Sequence, residues 1–167
     1  MCRNRPRQVS FYCRAEIEVV VASVEGRRML TCARGTRLTA DGMLLDMLAQ
    51  PFDLIVLPGG VVGCEHLAAH QPLVQMIKEQ TRAGRVYAAI AQAPVLVLQA
   101  SGVLKGRRMT CSESVSDQLV GCNYVDQPVV VDGNCITAQG SAAALTFALA
   151  LVEQLCGKAR RNALTDL

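Results

Sequence analysis

The stretch from Arg85 to Ala100, RVYAAIAQAPVLVLQA, constrains the fold more than any other part of the chain. Val86–Ile90 reads as a buried strand. The chain then turns at Ala91-Gln92-Ala93 and restarts as an apolar helix at Pro94. Proline suits the first turn of a helix, where no amide hydrogen is needed. Small residues on both sides let the backbone bend sharply. This is the layout of a nucleophile elbow, which holds one side chain in a strained turn above a sheet and near a helix N-terminus. The nucleophile would stand at Ala91 or Gln92. A methyl group and a carboxamide are not nucleophiles, so the mount is present without the reactive group.

The flanking segments place this unit in an α/β chain. Glu16–Val24 (EIEVVVASV) reads as a strand buried on both faces, as parallel sheets require. Phe52–Leu57 (FDLIVL) is a second strand, ended by Pro58-Gly59-Gly60. A weak helical stretch is read around Val9, Tyr12 and Cys13, and a strand-like one over 30–38. Residues 41–48 read as a loop with one helical turn. A helix within Leu67–Ala83 stops at Gly84. Further on, Arg107–Cys111 reads as a short strand and Ser114–Val120 as helical. Val129–Thr137 is a hairpin around Asp132-Gly133, and Gly140–Leu155 is a long helix stopped by Gly157. Alternating strands and helices predict a mostly parallel, doubly wound α/β sandwich in three layers. With 167 residues and no linker, a single domain over 1–167 is expected, with 1–8 as a ragged start.

Composition narrows the function classes. The chain is 51% hydrophobic and 19% charged, which excludes a disordered chain. A net charge of +3 without a basic, aromatic-studded stripe gives no reason to expect nucleic acid. No apolar run reaches membrane-spanning length, so no membrane partner is expected. The arginine-rich start, MCRNRPRQ, reads as a ragged beginning in preference to a transit peptide. Eight cysteines without a Cys-x-x-Cys pair point to reduced thiols in a cytoplasmic protein. His66 and His70 lie one helical turn apart but lack a third ligand. They read as surface residues, and neither metal nor cofactor is expected.

Several residues admit two readings. Gly59-Gly60 is either a plain turn or one whose N–H groups face the elbow as an oxyanion hole. Gln92 either orients a water or ligand carbonyl, or caps the following helix or points to solvent. Cys64, near His66 and a helix start, is the redox candidate, needing a lowered pKa; the alternative is a small buried apolar side chain. Cys111 and Cys135 read as core. Glu16 and Glu18 read as an exposed strand start.

Leu57-Pro58-Gly59-Gly60, the Ala88-Ala89-Ile90 elbow with Pro94, the Val131-Asp132-Gly133 hairpin and the run Phe147–Glu153 together resemble the ThiJ/PfpI superfamily. The resemblance is to its DJ branch, the Parkinson-disease-associated deglycase group, and covers about residues 9–158. It implies a flavodoxin-like sandwich, a homodimer, and chemistry built on an elbow cysteine. It also implies deglycase or glyoxalase action on reactive dicarbonyls or their protein adducts, oxidative-stress sensing and chaperoning. The family's cysteine falls on Ala91, and its histidine or aromatic neighbour falls on Ser112. Gly59 and Gly60 match, Arg34 falls near the pocket as a substrate-binding position, and the usual Arg-Gly-Pro-Gly turn is replaced by Gln139-Gly140-Ser141-Ala142. The family's first strand, with the glutamate that follows it, is missing from this sequence. A longer parent chain, or another segment in that place, is therefore expected. Two functions fit: a family member inactive as written, or a substituted or shortened form of an active deglycase or glyoxalase.

Overall fold

In the computed structural model, residues 15–32 and 35–165 are described. Strand β1 (Ala22–Ser23) pairs in parallel with β4 (Gly42–Met43), and between them β2 (Met29–Thr31) and β3 (Arg37–Thr39) form an antiparallel hairpin. A 3₁₀ turn at Leu44–Met47 leads to β5 (Leu54–Leu57). Helices α1 (Val61–Ala69) and α2 (Gln71–Arg82) follow, then β6 (Val86–Ile90) and a π-helix over Pro94–Gln99. Short strands β7 (Arg108–Met109) and β8 (Asn123–Tyr124) flank a 3₁₀ segment at Glu113–Gln118. The chain closes with the hairpin β9 (Val129–Asp132) and β10 (Cys135–Ala138), then α3 (Ala144–Cys156) and α4 (Lys158–Thr165).

The main sheet has the order β5-β6-β10-β9. The first three strands are parallel, and β9 is antiparallel to β10. Successive side chains of β6 enter different cores, as the twofold period of a strand demands. Tyr87 and Ala89 pack with Cys64, Leu73, Ile77, Val97 and Leu98 beneath α1, α2 and the π-helix. Ala88 and Ile90 pack with Ile136, Phe147, Leu151 and Val152 beneath α3. This is a flavodoxin-like α/β sandwich, and its central strand is buried on both faces because both faces carry helices.

Several local expectations need correction. Ladder pairing in the Glu16–Val24 stretch covers only Ala22–Ser23, and Ala15-Glu16 form a turn with Glu16 at φ +61°. A β-branched run favours extended backbone, but a strand also needs a partner in register. The helix read within 67–83 is present as Gln71–Arg82, and a separate helix, Val61–Ala69, that the sequence reading leaves out precedes it. His70 separates them and caps the second, its Nδ1 accepting from Leu73 N–H at 3.3 Å, with Pro72 in the first turn. The helix after the elbow has widened π turns, and Ser114–Val120 holds only 3₁₀ structure. The Val9–Cys13 helix lies outside the described residues. The hairpin turn at Gly133 (φ +63°) and the helix stops at Gly84 (+69°) and Gly157 (+84°) sit where the sequence puts them. Among the described residues no helix is long and apolar enough to cross a membrane.

Candidate functional site

Three loops converge at the carboxyl ends of the adjacent parallel strands β5, β6 and β10, where open α/β sheets bind ligands. They are Pro58-Gly59-Gly60, Ala91-Gln92-Ala93 and Gln139-Gly140-Ser141. Ala91 is held at φ +61°, in the left-handed region that costs an L-residue about 1 kcal/mol or more. Two backbone bonds pin it: its N–H donates to Ala138 O at 2.9 Å, and its carbonyl accepts from Ser112 N–H at 2.9 Å. The elbow read from the sequence is therefore present as geometry.

Glycine is required beside it. A Cβ placed on Gly59 would lie 2.7 Å from Ala91 Cβ and 3.0 Å from Ile90 O. Gly60, at φ +105°, adopts a conformation that other residues rarely reach, and its carbonyl accepts from Cys64 N–H at 2.8 Å to start α1. A cavity of about 320 Å³ is lined by Pro58, Gly59, Gly60, Ile90, Ala91, Ser141 and Ala144. Ser141 also borders a broader cleft of about 870 Å³. Ser112 lines that cleft, along with Glu113, Tyr124, Asp126 and Gln139. Ser112 Oγ lies 2.9 Å from Ser114 Oγ. Gln139 Nε2 donates to Asp126 Oδ1 at 2.8 Å, which fixes the turn before α3.

The oxyanion-hole expectation for Gly59-Gly60 needs correction at Gly60. Its N–H already donates to Gln92 Oε1 at 3.0 Å. Gln92 therefore neither points away nor caps the following helix with its side chain. Its backbone carbonyl accepts from Val95 N–H at 3.1 Å and Leu96 N–H at 2.9 Å.

Cys64 does not have the environment a reactive thiol needs. It is fully buried in the core, and its thiol faces Pro58 O at 3.6 Å. Burial pushes it up to about 11, with a smaller push from Glu65. A redox thiol needs the opposite shift. His66, expected to help it, pairs instead with Glu25 at 3.6 Å. Cys111 and Cys135 are core residues, each pushed up by burial to about 11. The exposed free thiols among the described residues are Cys32 and Cys156. Glu16 is exposed and pairs with Arg160 at 2.6 Å. Arg34 lies outside the described residues. Among the described residues no group of three His, Cys, Asp or Glu side chains is placed to hold a metal ion.

The sequence singled out the residues the structure brings together: Gly59, Gly60, Ala91, Gln92 and Ser112. It missed Ser141, Ala144 and the Gly60–Gln92 bond. The weak signal for the first two was the altered turn at Gln139–Ala142.

Comparisons with known proteins point the same way as the fold. The profile of the DJ-1/PfpI family matches residues 7–154. Protein DJ-1 homolog B of Arabidopsis thaliana is 38% identical over 87% of this chain, which spans only 33% of that relative's length. The glutathione-independent glyoxalase DJR-1.2 of Caenorhabditis elegans is 36% identical over 80% of this chain and 71% of its own. The solved structure of oxidized Toxoplasma gondii DJ-1 superposes with a TM-score of 0.92 at 31% identity, covering 95% of this chain and 86% of that one.

Proposed function

The chain belongs to the DJ-1/PfpI family, and on that premise we propose that it is a non-catalytic member, acting by binding and self-association. The carrying observation is Ala91. The elbow is built and strained at φ +61°, yet it presents only a methyl group to the cavity. In this reading Ala91 stands where relatives carry their nucleophilic cysteine, and Ser112 stands in for the neighbouring histidine or aromatic. Gly59 and Gly60 border the cavity, and Gln92 holds the Gly60 N–H beside it. Cys64 does not take over, since it is buried with its pKa raised. The ligand is a small carbonyl compound or a protein-borne carbonyl adduct. Homodimerisation is part of the proposal, supported by exposed Val62 and Leu145 on helices beside the cavity and by a mean hydropathy of +0.26. Free thiols at Cys32, Cys64, Cys111, Cys122, Cys135 and Cys156 support a reducing compartment such as the cytoplasm. Stress-response and chaperone roles belong to the same proposal.

The test is methylglyoxal consumption by the native chain and by Ala91→Cys, with light scattering on both. The native chain is expected to show no consumption above the uncatalysed rate, because losing a covalent nucleophile removes many orders of magnitude. Measurable consumption by the native chain overturns the proposal.

A second reading is favoured by the glyoxalase name of the Caenorhabditis elegans relative. Here a natural form of the protein, longer or with cysteine at position 91, is a deglycase or glyoxalase. Under it, Ala91→Cys gains turnover once the neighbouring sequence of a longer parent is supplied.

A further inference from the structure

Gln92 is the one long polar side chain in a turn otherwise made of alanine and proline, and it reaches across to the loop after β5. Its Oε1 accepts from Gly60 N–H at 3.0 Å. Which end of the amide faces Gly60 follows from chemistry, because only the carbonyl end can accept from an N–H. The same oxygen would lie 3.3 Å from a Cβ on Gly59, so it occupies the space glycine leaves open at this corner. Gly60 borders the cavity that holds Ala91, and its carbonyl is already committed to the first turn of α1. Its N–H is thus the polar group it can offer a ligand, and a backbone N–H beside a cavity at the carboxyl ends of parallel strands is suited to hold a carbonyl or carboxylate oxygen. In this chain the oxygen is supplied internally. Apart from Ser141, the side chains lining the cavity are apolar or absent: Pro58, Gly59, Gly60, Ile90, Ala91 and Ala144.

We propose that Gln92 is a built-in occupant of the oxygen-binding position at Gly60, and so determines what the elbow cavity accepts. With Gln92 in place the cavity takes small neutral or apolar groups and turns away carboxylates. Without its side chain, the same turn becomes an oxyanion site. This does not depend on whether the chain turns over any carbonyl compound, so its failure and the failure of the proposed function are separately visible.

The experiment follows the Gly60 amide in the 15N-labelled full chain, with sodium formate as the probe and sodium chloride as the ionic-strength control. In the native chain the amide is expected to exchange slowly with solvent and to stay unmoved by formate beyond the chloride effect. In Gln92→Ala its exchange should speed up by about tenfold or more, and formate should move it saturably. Gln92→Asn, one methylene shorter, should behave like Gln92→Ala and serves if the alanine variant does not fold. A saturable formate shift at Gly60 in the native chain overturns the proposal. So does a folded Gln92→Ala or Gln92→Asn with native exchange and no formate shift. If neither variant folds, the native chain decides, since rapid exchange at Gly60 there also overturns it.

Discussion

At its amino end β6 is tied down by a network of side chains, and at its carboxyl end by backbone bonds with a single side-chain bond, Gln92 to Gly60, beside them. At the first, buried Gln80 donates from Nε2 to Phe52 O and Val86 O, each at 2.9 Å, and accepts from Arg85 Nε at 2.8 Å. Asn134 donates to Arg85 O at 2.9 Å and accepts from Arg107 at 2.9 Å. Arg107 also reaches Asp132 O at 2.8 Å and lies 6.0 Å over the Tyr87 ring. At the second end there is a strained alanine, two glycines and a cavity. A part-buried polar network in which each member has partners, centred on the buried Gln80, favours one arrangement, because breaking a bond strands another group. The strained end persists because the strand below it and the bonds to Ala138 and Ser112 overdetermine it. Stability is concentrated at one end of the strand and access at the other.

The largest effect that would break this comparison is chemical. A thiol introduced by Ala91→Cys stands at the open end, whereas Cys135, level with Tyr87, is buried at the closed end. Iodoacetamide should label position 91 at least about 100-fold faster than Cys135, since the latter must wait for an opening of the core. Mass spectrometry of peptides over a time course reads both rates. Equal rates would mean that the closed end opens as readily as the elbow.

Next in size is the cost of breaking the network. Gln80→Leu keeps much of the side chain's bulk but removes two donors and one acceptor from a buried site. A loss of ~2–3 kcal/mol is expected, since buried polar groups left unpaired cost about 1–3 kcal/mol. For a chain of this length that is a fall in Tm of about 10 °C. Urea unfolding with an unchanged slope checks it, and a loss below about 0.5 kcal/mol would show the network to be ornamental.

Much of the fold was legible because its signals are local. Asp132-Gly133 marks the hairpin, Gly84 and Gly157 end helices, and FDLIVL contains β5. The elbow was legible for the same reason: alanines, a glutamine and a proline between two apolar runs describe a strand-to-helix turn. What stayed hidden depends on distant partners. The Gly60–Gln92 bond spans 32 positions and Gln80 to Phe52 spans 28. Neither glutamine differs from a solvent-facing one in its own sequence window. Cys64 was ambiguous for a related reason: its thiol chemistry depends on whether its face of α1 meets water or core. The short pairing of the Glu16–Val24 stretch likewise depends on where Gly42–Met43 falls in space.

Both ends bury thiols, and this makes stability fall at alkaline pH. Burial raises Cys64, near the elbow, and Cys111 and Cys135 to about 11. The unfolded thiols titrate near ~8.5. Above that pH the unfolded chain releases protons that the folded chain keeps, so stability falls as pH rises, most steeply between about 9 and 11, and is flat below about 8 from this cause. Thermal unfolding from pH 7 to 11 should show the decline. Replacing Cys64 with alanine should flatten part of it while lowering Tm at pH 7. An unchanged slope in that variant would mean that the thiol at the elbow side is not protected as the one beside Tyr87 is.

The smallest effect is also the most direct comparison, because one substitution is made twice on the same chain. Ala88 lies inside β6, fully buried and paired in register with Val56 and Ile136. There, Ala88→Gly removes a packed methyl group and frees the unfolded backbone, and a loss of ~1 kcal/mol is expected. Ala91 lies just beyond the strand at φ +61°. Ala91→Gly also frees the unfolded chain, but it relieves a left-handed alanine, which costs about 1–2 kcal/mol. The two contributions oppose each other, and a net gain of ~0.5 kcal/mol is expected. The sign is therefore the measurement. Chemical denaturation of both variants should move their midpoints in opposite directions from the native value. Movement in the same direction would show that the elbow is not strained, and that the two ends of β6 differ in packing alone.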